Sequence, residues 1–365
     1  MPKKTSYIIL IIIAVLVLVG GLIWYLIFYP KETTTSPGAG FTVNGGALQK
    51  KGNLKLVSSS VVSASLNHSE NSILFYNFSG ELWQLKSGET TPSLISQKAI
   101  ENPAEIIWSK NLKNVVKNGL SQSDATYISS DFTKNLLTNL KSGIKSVAFS
   151  PDASKIVFYI SDLKTNALFT SDPDGRNQRT LANPLKIRDI VLSWPKTNQI
   201  GLSSKPSGLI TGSLWVLDTR TSSYSKPLDG FFGLETLWSP DGATLIYSFT
   251  DSIGRNPKLS FFNKKGNSNI ISGISTIVPK CVWAKNSTEI YCAVPKSWPE
   301  SIVLPDDFYK KTFMTNDEIW KINVETGEKN LIASDLGDLA NLLIGENAIY
   351  FIQRNSQFLY QLNLE

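Results

Sequence analysis

The chain of 365 residues is poor in the side chains that most often do chemistry. It has one histidine, His68, and two cysteines, Cys281 and Cys292. With so few soft or imidazole ligands, a zinc or copper site of ordinary composition is excluded, and the chain is read as carrying no metal and no cofactor. No G-x-S-x-G elbow occurs, which removes the usual serine-hydrolase arrangement. His68 lies in the polar segment NHSENS with no nucleophile, base and orienting group legible beside it, so it reads as an exposed turn residue. Blocks of Lys or Arg are also missing. The formal charge is +6, and without residues 1–46 it is +4, with the basic residues scattered among acids. A nucleic-acid track is therefore not expected.

Charge is missing altogether between Lys4 and Lys31. Tyr7 to Tyr29 reads YIILIIIAVLVLVGGLIWYLIFY, which as a helix would be ~34 Å long and would cross a hydrocarbon core. Lys3 and Lys4 precede it, which favours a cytoplasmic N-terminus, and Trp24, Tyr25 and Tyr29 stand where rings prefer the far interface. A cleaved signal peptide would have a shorter apolar stretch and a small-x-small site, whereas this one ends in Phe28-Tyr29-Pro30. The expected order is a cytoplasmic segment at 1–6, a signal anchor at 7–29 and a flexible Gly/Thr/Pro-rich stalk at 30–46. One extracytoplasmic domain then fills 47–365, so the chain meets the membrane through Tyr7 to Tyr29.

What is present in abundance is a repeat. Leu66, Trp108, Phe149, Trp194, Trp238, Trp283 and Leu342 each precede a tight polar turn and then a run rich in Ile, Val, Tyr and Phe. The intervals are 42, 41, 45, 44, 45 and 59 residues. A period of ~40–45 residues made of short strands marks a β-propeller with one four-stranded antiparallel blade per repeat. The fold class expected is all-β. The second unit, residues 105–140, fits least well, because its apolar run is only Val115-Val116. Counting it gives seven blades; omitting it gives six. The last unit has three recognisable strands, and Leu54 to Val57 is expected to supply the fourth beside Phe358 to Leu362. Trp83, Trp215 and Trp320 hold one place in their repeats and read as blade-to-blade packing.

The phrases FSPDASKIVFY, WSPDGATLIYSF and TSDPDGRNQRTL resemble the repeats of TolB-type β-propellers, a branch of the WD-like repeat proteins. The resemblance covers nearly all of residues 57–365. It implies the fold, and it implies a role as an envelope protein-binding module or as a gating domain attached to a serine peptidase. The Pro-Asp-Gly turns that carry it are structural, since Pro presets φ, Asp bonds its own backbone and Gly accepts positive φ.

Two further features bear on function. If Trp283 faces Ile290 across the hairpin of the sixth unit, Cys281 faces Cys292, within disulfide reach; two separate buried thiols are the other reading. The longest insertion, Pro295 to Asp317, carries Trp298, Asp306, Asp307, Phe308, Tyr309 and Phe313. Aromatics beside charges on a loop are candidates for binding a partner, or for folding back to plug the channel and brace a neighbouring blade. The function expected is an anchored scaffold, without catalysis, for a protein or cell-envelope component. The other class is a cell-envelope glycan enzyme using channel-facing carboxylates.

Overall fold

A computed structural model describes residues 54–364 except 97–99, 102, 110–112, 119–125, 132–133, 135, 264–265 and 267. The membrane-spanning, stalk and cytoplasmic segments expected within 1–46 lie outside the described residues. No helix among the described residues is long and apolar enough to cross a membrane.

Unit 46–365 is built from antiparallel strands. Among the described residues, helix is confined to a 3₁₀ turn at Val278–Lys280 and one α-helical turn at Asp306–Tyr309. Among the described residues, five sheets have four strands and one has seven. The large sheet divides within the 16-residue strand Ser223–Trp238. Its first part pairs with Thr211–Asp218 and its second with Leu245–Thr250, so it serves two four-stranded stacks in succession. The weakest repeat also forms a stack, from Pro103–Trp108, Lys113–Asn118, Thr126–Asp131 and Leu136–Asn139. Leu54–Ser58 closes the final stack as expected, with Leu54 opposite Leu362 and Leu56 opposite Tyr360. The architecture is consistent with a β-propeller.

Period-two alternation decides how the stacks pack, because successive side chains leave opposite faces of a strand. In Ser72–Asn77, Ile73 and Phe75 face the final stack, while Leu74 and Tyr76 face the second. In Ile156–Ser161, Ile156 and Phe158 face backwards and Val157 and Tyr159 face forwards. In Glu289–Pro295, Ile290, Cys292 and Val294 face one neighbour and Tyr291 and Ala293 the other. Each stack is thus apolar on both faces, and an apolar cluster fills every gap between consecutive stacks, the last-to-first gap included. Trp83, Trp215 and Trp320 pack into these gaps. Burial of this kind supplies roughly 1.5–3 kcal/mol per large side chain.

The alternation of strand direction also sorts the connections. Turns between first and second and between third and fourth strands share one face, the turn face. Loops between second and third strands share the other, the loop face, with the links between stacks. The turns are short because they are internally bonded. Asp152 accepts from Ser150 Oγ at 2.6 Å and from Ser154 N at 3.1 Å, and these bonds hold its carboxyl down at about 2. Asp241 likewise accepts hydrogen bonds from Ser239 Oγ at 2.6 Å and Ala243 N at 3.0 Å. Gly242 has φ 65°, and a Cβ there would come within 2.3 Å of Pro195 O of the preceding stack. His68 is exposed in its turn, its imidazole lowered by partial desolvation and then by Lys285.

Cys281 and Cys292 are register partners and are joined by a disulfide, with Cα atoms 4.0 Å apart. The bridge ties the inner strand Cys281–Trp283, only three residues long, to its neighbour across a separation of 11 residues. Cross-linking a loop of that size restricts the unfolded chain by about 3 kcal/mol in the chain-entropy account. The double substitution Cys281→Ala/Cys292→Ala is expected to lower unfolding free energy by up to about 3 kcal/mol in denaturant titrations. In the wild type, alkylation of the unfolded protein is expected to add two groups only after reduction.

Candidate functional site

The insert between Glu289–Pro295 and Asp317–Asn323 crosses the loop face instead of standing clear of it. Its apolar residues make a small core of their own: Ile302, Leu304 and Phe308 are buried against Ile277, with Trp298 and Phe313 packed on them. Backbone and carboxylate bonds fasten it to two neighbouring loops. Leu304 N donates to Gly254 O at 2.8 Å, and Gly208 N donates to Asp306 Oδ2 at 2.6 Å. Glycine is required at the crossing: a Cβ on Gly208 would lie 2.3 Å from Leu304 O and 2.9 Å from Gly254 Cα.

A buried ionic group holds the other side. Lys280 is wholly buried at the end of the 3₁₀ turn. Its Nζ donates to Asp317 at 2.5 Å, to Asp338 at 2.7 Å, to Thr315 Oγ1 at 3.2 Å and to Leu339 O at 3.1 Å. Arg354 donates to Asp338 at 2.5 Å and to Phe308 O at 2.7 Å. Its guanidinium lies 4.0 Å from the centroid of the Phe308 ring, and Lys280 Nζ lies 5.7 Å from the same centroid. Two cations and two carboxylates balance, so the group is neutral as a whole. Burial still pushes the Asp317 carboxyl up, against the pull of Lys280, and its Oδ1 has no hydrogen-bond partner. Desolvation of such a cluster offsets much of its Coulomb gain, but removing one member leaves a bare buried charge.

Beneath the insert lies a cavity of about 1140 Å³. Its walls come from the inner strands of four consecutive stacks, second to fifth. Glu105, Lys145, Ser146, Asp189 and Thr236 supply polar groups, and Tyr127 and Tyr159 supply rings with a polar tip. On the turn face it is rimmed by the repeat anchors Trp108, Phe149, Trp194 and Trp238. The insert contributes Asp306, Tyr309 and Lys310 to the opposite wall. Trp108 Nε1 donates to Ser63 Oγ of the stack before it at 2.9 Å, but Trp238 Nε1 and the Ser193 side chain are buried without partners.

Tyr309 is 56% exposed because its ring stands in this cavity, surrounded by protein but reached by water. Its hydroxyl donates to Glu235 Oε1 at 2.5 Å. Glu235, 6% exposed on the inner strand of the fifth stack, has an unpartnered Oε2. Burial pushes its carboxyl up to about 8; the Tyr309 bond opposes this and the Asp306 charge adds to it. Burial and the Glu235 charge raise the Tyr309 hydroxyl well above its ordinary range.

The six insert residues singled out from the sequence are therefore put to different uses. Phe308 is buried under Arg354. Trp298 stacks edge-on with Phe313 at 6.0 Å and donates to Ser275 O at 3.2 Å. Asp307 caps Val303 N at 2.8 Å, and Asp306 is committed to Gly208. Tyr309 and Asp306 reach the cavity. Sequence reasoning missed Glu235, Lys280, Asp338 and Arg354; the only signal was a charged residue inside or beside an apolar inner strand, as in GLETLW and VPKCVW. Among the described residues no group of three or more His, Cys, Asp and Glu could hold a metal ion.

No protein-family model and no curated protein matches the chain. Solved structures do. An oligogalacturonate lyase in complex with manganese is 10% identical, with a TM-score of 0.59 over 86% of this chain and 91% of that one. An oligogalacturonate lyase from Vibrio parahaemolyticus is 9% identical, with a TM-score of 0.58 over 86% of this chain and 92% of that one. The tricorn protease is 11% identical with a TM-score of 0.54, covering 87% of this chain and 35% of that one. At these identities the likeness is one of fold.

Two outcomes are expected. Replacing Asp338 by Ala leaves Lys280 and Arg354 facing each other without their shared acceptor, so stability falls by about 3–5 kcal/mol. Limited proteolysis should then cut first within 296–316. For Glu235 the folded carboxyl lies above its unfolded value of 4.5, so its contribution is complete below about 4.5 and is lost as pH rises to about 8. The Glu235→Gln protein should show a flatter pH-stability curve than the wild type over that window. Parallel curves would mean that Glu235 ionises freely.

Proposed function

We propose that this chain is a membrane-tethered, extracytoplasmic propeller of seven blades and TolB-like type, acting as a binding scaffold for a protein or cell-envelope component and not as a catalyst. The observation that carries the reading is the roofed cavity: an insert whose own aromatics and carboxylates are used to fasten it down, over a space walled by four stacks. A loop held by a buried ionic group is a fixed wall and not a mobile lure, so the partner is met by the cavity and its rim. The cavity surface mixes both charge signs with Tyr and Trp, which suits a polar ligand presenting hydroxyls, amides or an extended polar loop. Tethering through residues 7–29 and a disulfide between Cys281 and Cys292 both fit an oxidising compartment outside the cytoplasm.

A second reading has a specific observation behind it. A carboxyl raised to about 8, bonded at 2.5 Å to a tyrosine hydroxyl on the cavity wall, is a pair able to move a proton near neutral pH. Two fold neighbours are oligogalacturonate lyases. On this reading the chain acts on an envelope glycan.

The two separate experimentally. A photo-crosslinking residue in place of Lys310, in cells, is expected to capture an envelope component, while one in place of Ser154 on the turn face captures none. Equal adducts at both positions would remove the cavity from the proposal. Incubation of the purified protein with polyuronates and with cell-wall glycans is expected to release no product. Release that disappears in Glu235→Gln would replace the scaffold by the enzyme.

A further inference from the structure

Charge of one sign gathers where the insert reaches into the cavity. The Tyr309 ring stands in that space, and its hydroxyl donates to Glu235 Oε1 at 2.5 Å. The other carboxyl oxygen of Glu235 is buried and has no partner. Asp306, on the same helical turn as Tyr309, and Glu105, on the inner strand of the second stack, line the cavity beside the pair. Among the described residues, the charges that act on the pair are all negative: Asp306 on Glu235, and Glu235 and Glu105 on Tyr309. Glu105 acts in the same sense on Tyr127 of the same wall, after burial. Lys145, Lys205 and Lys310 also line the cavity, the last two exposed, but none is among the charges that move Tyr309 or Glu235. Lys310 is paired with Asp307 at 3.4 Å. The elements packed on the Glu235 strand add no free cation. Ser248 and Thr250 of the next strand are uncharged, Thr236 bonds Ser203 on the fourth-stack side, and Lys280 of the 3₁₀ turn is spent on Asp317 and Asp338.

The shape of this acidic end selects among cations. Having given its proton to Glu235, the Tyr309 hydroxyl oxygen can still accept a hydrogen bond from the cavity side. A cation that donates one, and that lies against an aromatic ring, matches the group. The carboxylates flank a tyrosine and do not converge on a point, and among the described residues no three His, Cys, Asp or Glu side chains are placed to hold a metal ion. An organic ammonium fits that spread of charge better than a bare ion does. At about 1140 Å³ the cavity has room for much more than the charged head. Its turn-face end is rimmed by Trp108, Phe149, Trp194 and Trp238, surfaces suited to an apolar stem.

We propose that the insert end of the cavity binds a primary alkylammonium group, which donates to the Tyr309 hydroxyl oxygen and is balanced by Glu235, Asp306 and Glu105, with its alkyl stem toward the aromatic rim. This rests on the cavity being the binding site proposed above, and it names the chemistry of the ligand. The same group is carried by a lysine side chain of a partner and by a free alkylamine. Binding is coupled to a proton. Without ligand, Glu235 keeps its proton until pH rises to about 8, because burial outweighs the Tyr309 bond. A cation beside it favours the ionised form, so binding expels that proton. Affinity therefore falls as pH drops below about 8 and levels off above it.

The test is calorimetric titration of the full chain with Nα-acetyl-lysine amide and with n-butylamine, which stay charged near neutral pH. The uncharged controls are the Nε-acetylated lysine amide and n-butanol. Binding of the lysine amide alone identifies a partner's side chain as the source, and binding of butylamine identifies a free amine. Either ligand is expected to bind about tenfold or more tightly at pH ~8 than at pH ~6, releasing a proton that is read from the heat in buffers of different ionisation enthalpy. Glu235→Gln should remove this pH dependence. Tyr309→Phe, which takes away only the hydroxyl, should weaken binding at both pH values with the melting transition unchanged. No binding of either amine, equal binding of the uncharged controls, or affinity independent of pH in the wild type overturns the inference. If crosslinks still form at position 310 in that case, the binding cavity stands and only the ammonium assignment falls; if none form, the cavity itself is lost.

Discussion

Everything in this domain depends on one constraint: each stack is apolar on both faces, so none can exist without two neighbours. Ile73 and Phe75 need the last stack, Leu74 and Tyr76 the second, and the same holds around the chain. A line of such sheets would leave two faces in water at its ends. Closing the line into a cycle removes both, and the final gap is filled by Val57, Val61 and Ile352 as the others are by their own residues. Closure also fixes where polar groups can go. They are left with the inner strand edges, the turns and the loops, which is where the cavity, the ionic group and the exposed cations are found.

How much of this was legible in the sequence follows from the range of the interactions. Strand and turn positions depend on local alternation and on turn residues such as Ser239-Pro240-Asp241-Gly242, so the repeat could be read from the chain itself. Opposition of Cys281 and Cys292 followed from the short hairpin register, and the structure joins them. The pairing of Leu54–Ser58 with Leu359–Asn363 is distant in sequence but forced by closure, and it too could be read. The second unit was obscured because strandness there depends on pairing more than on apolar content. Its gap to the first stack is nonetheless filled by Ile106 and Ile128.

The candidate site was much less legible. Lys280, Asp317, Asp338 and Arg354 come from four separate segments and meet only because the links between stacks share a face. Nothing local distinguishes Asp338 from the turn-forming Asp152 or Asp241. The insert's aromatics were visible, but their direction was not. Arg354 lying flat on Phe308 turns a residue suited to a partner into one that holds the roof. Glu235 is a single carboxyl in an apolar strand, and only the folded arrangement places the Tyr309 hydroxyl on it.

The clasp between the first described strand and the last has a consequence in time. Ser58 and Leu359 stand at opposite ends of the described chain, so the ring cannot seal until Leu359–Asn363 has been synthesised. At ~5–20 residues per second, the edge offered by Leu54–Ser58 waits on the order of 15–60 s for its mate. Throughout that interval an unpaired strand and an uncovered apolar sheet coexist in the nascent chain. Until its mate arrives, that edge is a ready template for pairing with another chain, so an interrupted synthesis would leave behind an adhesive, half-made wheel.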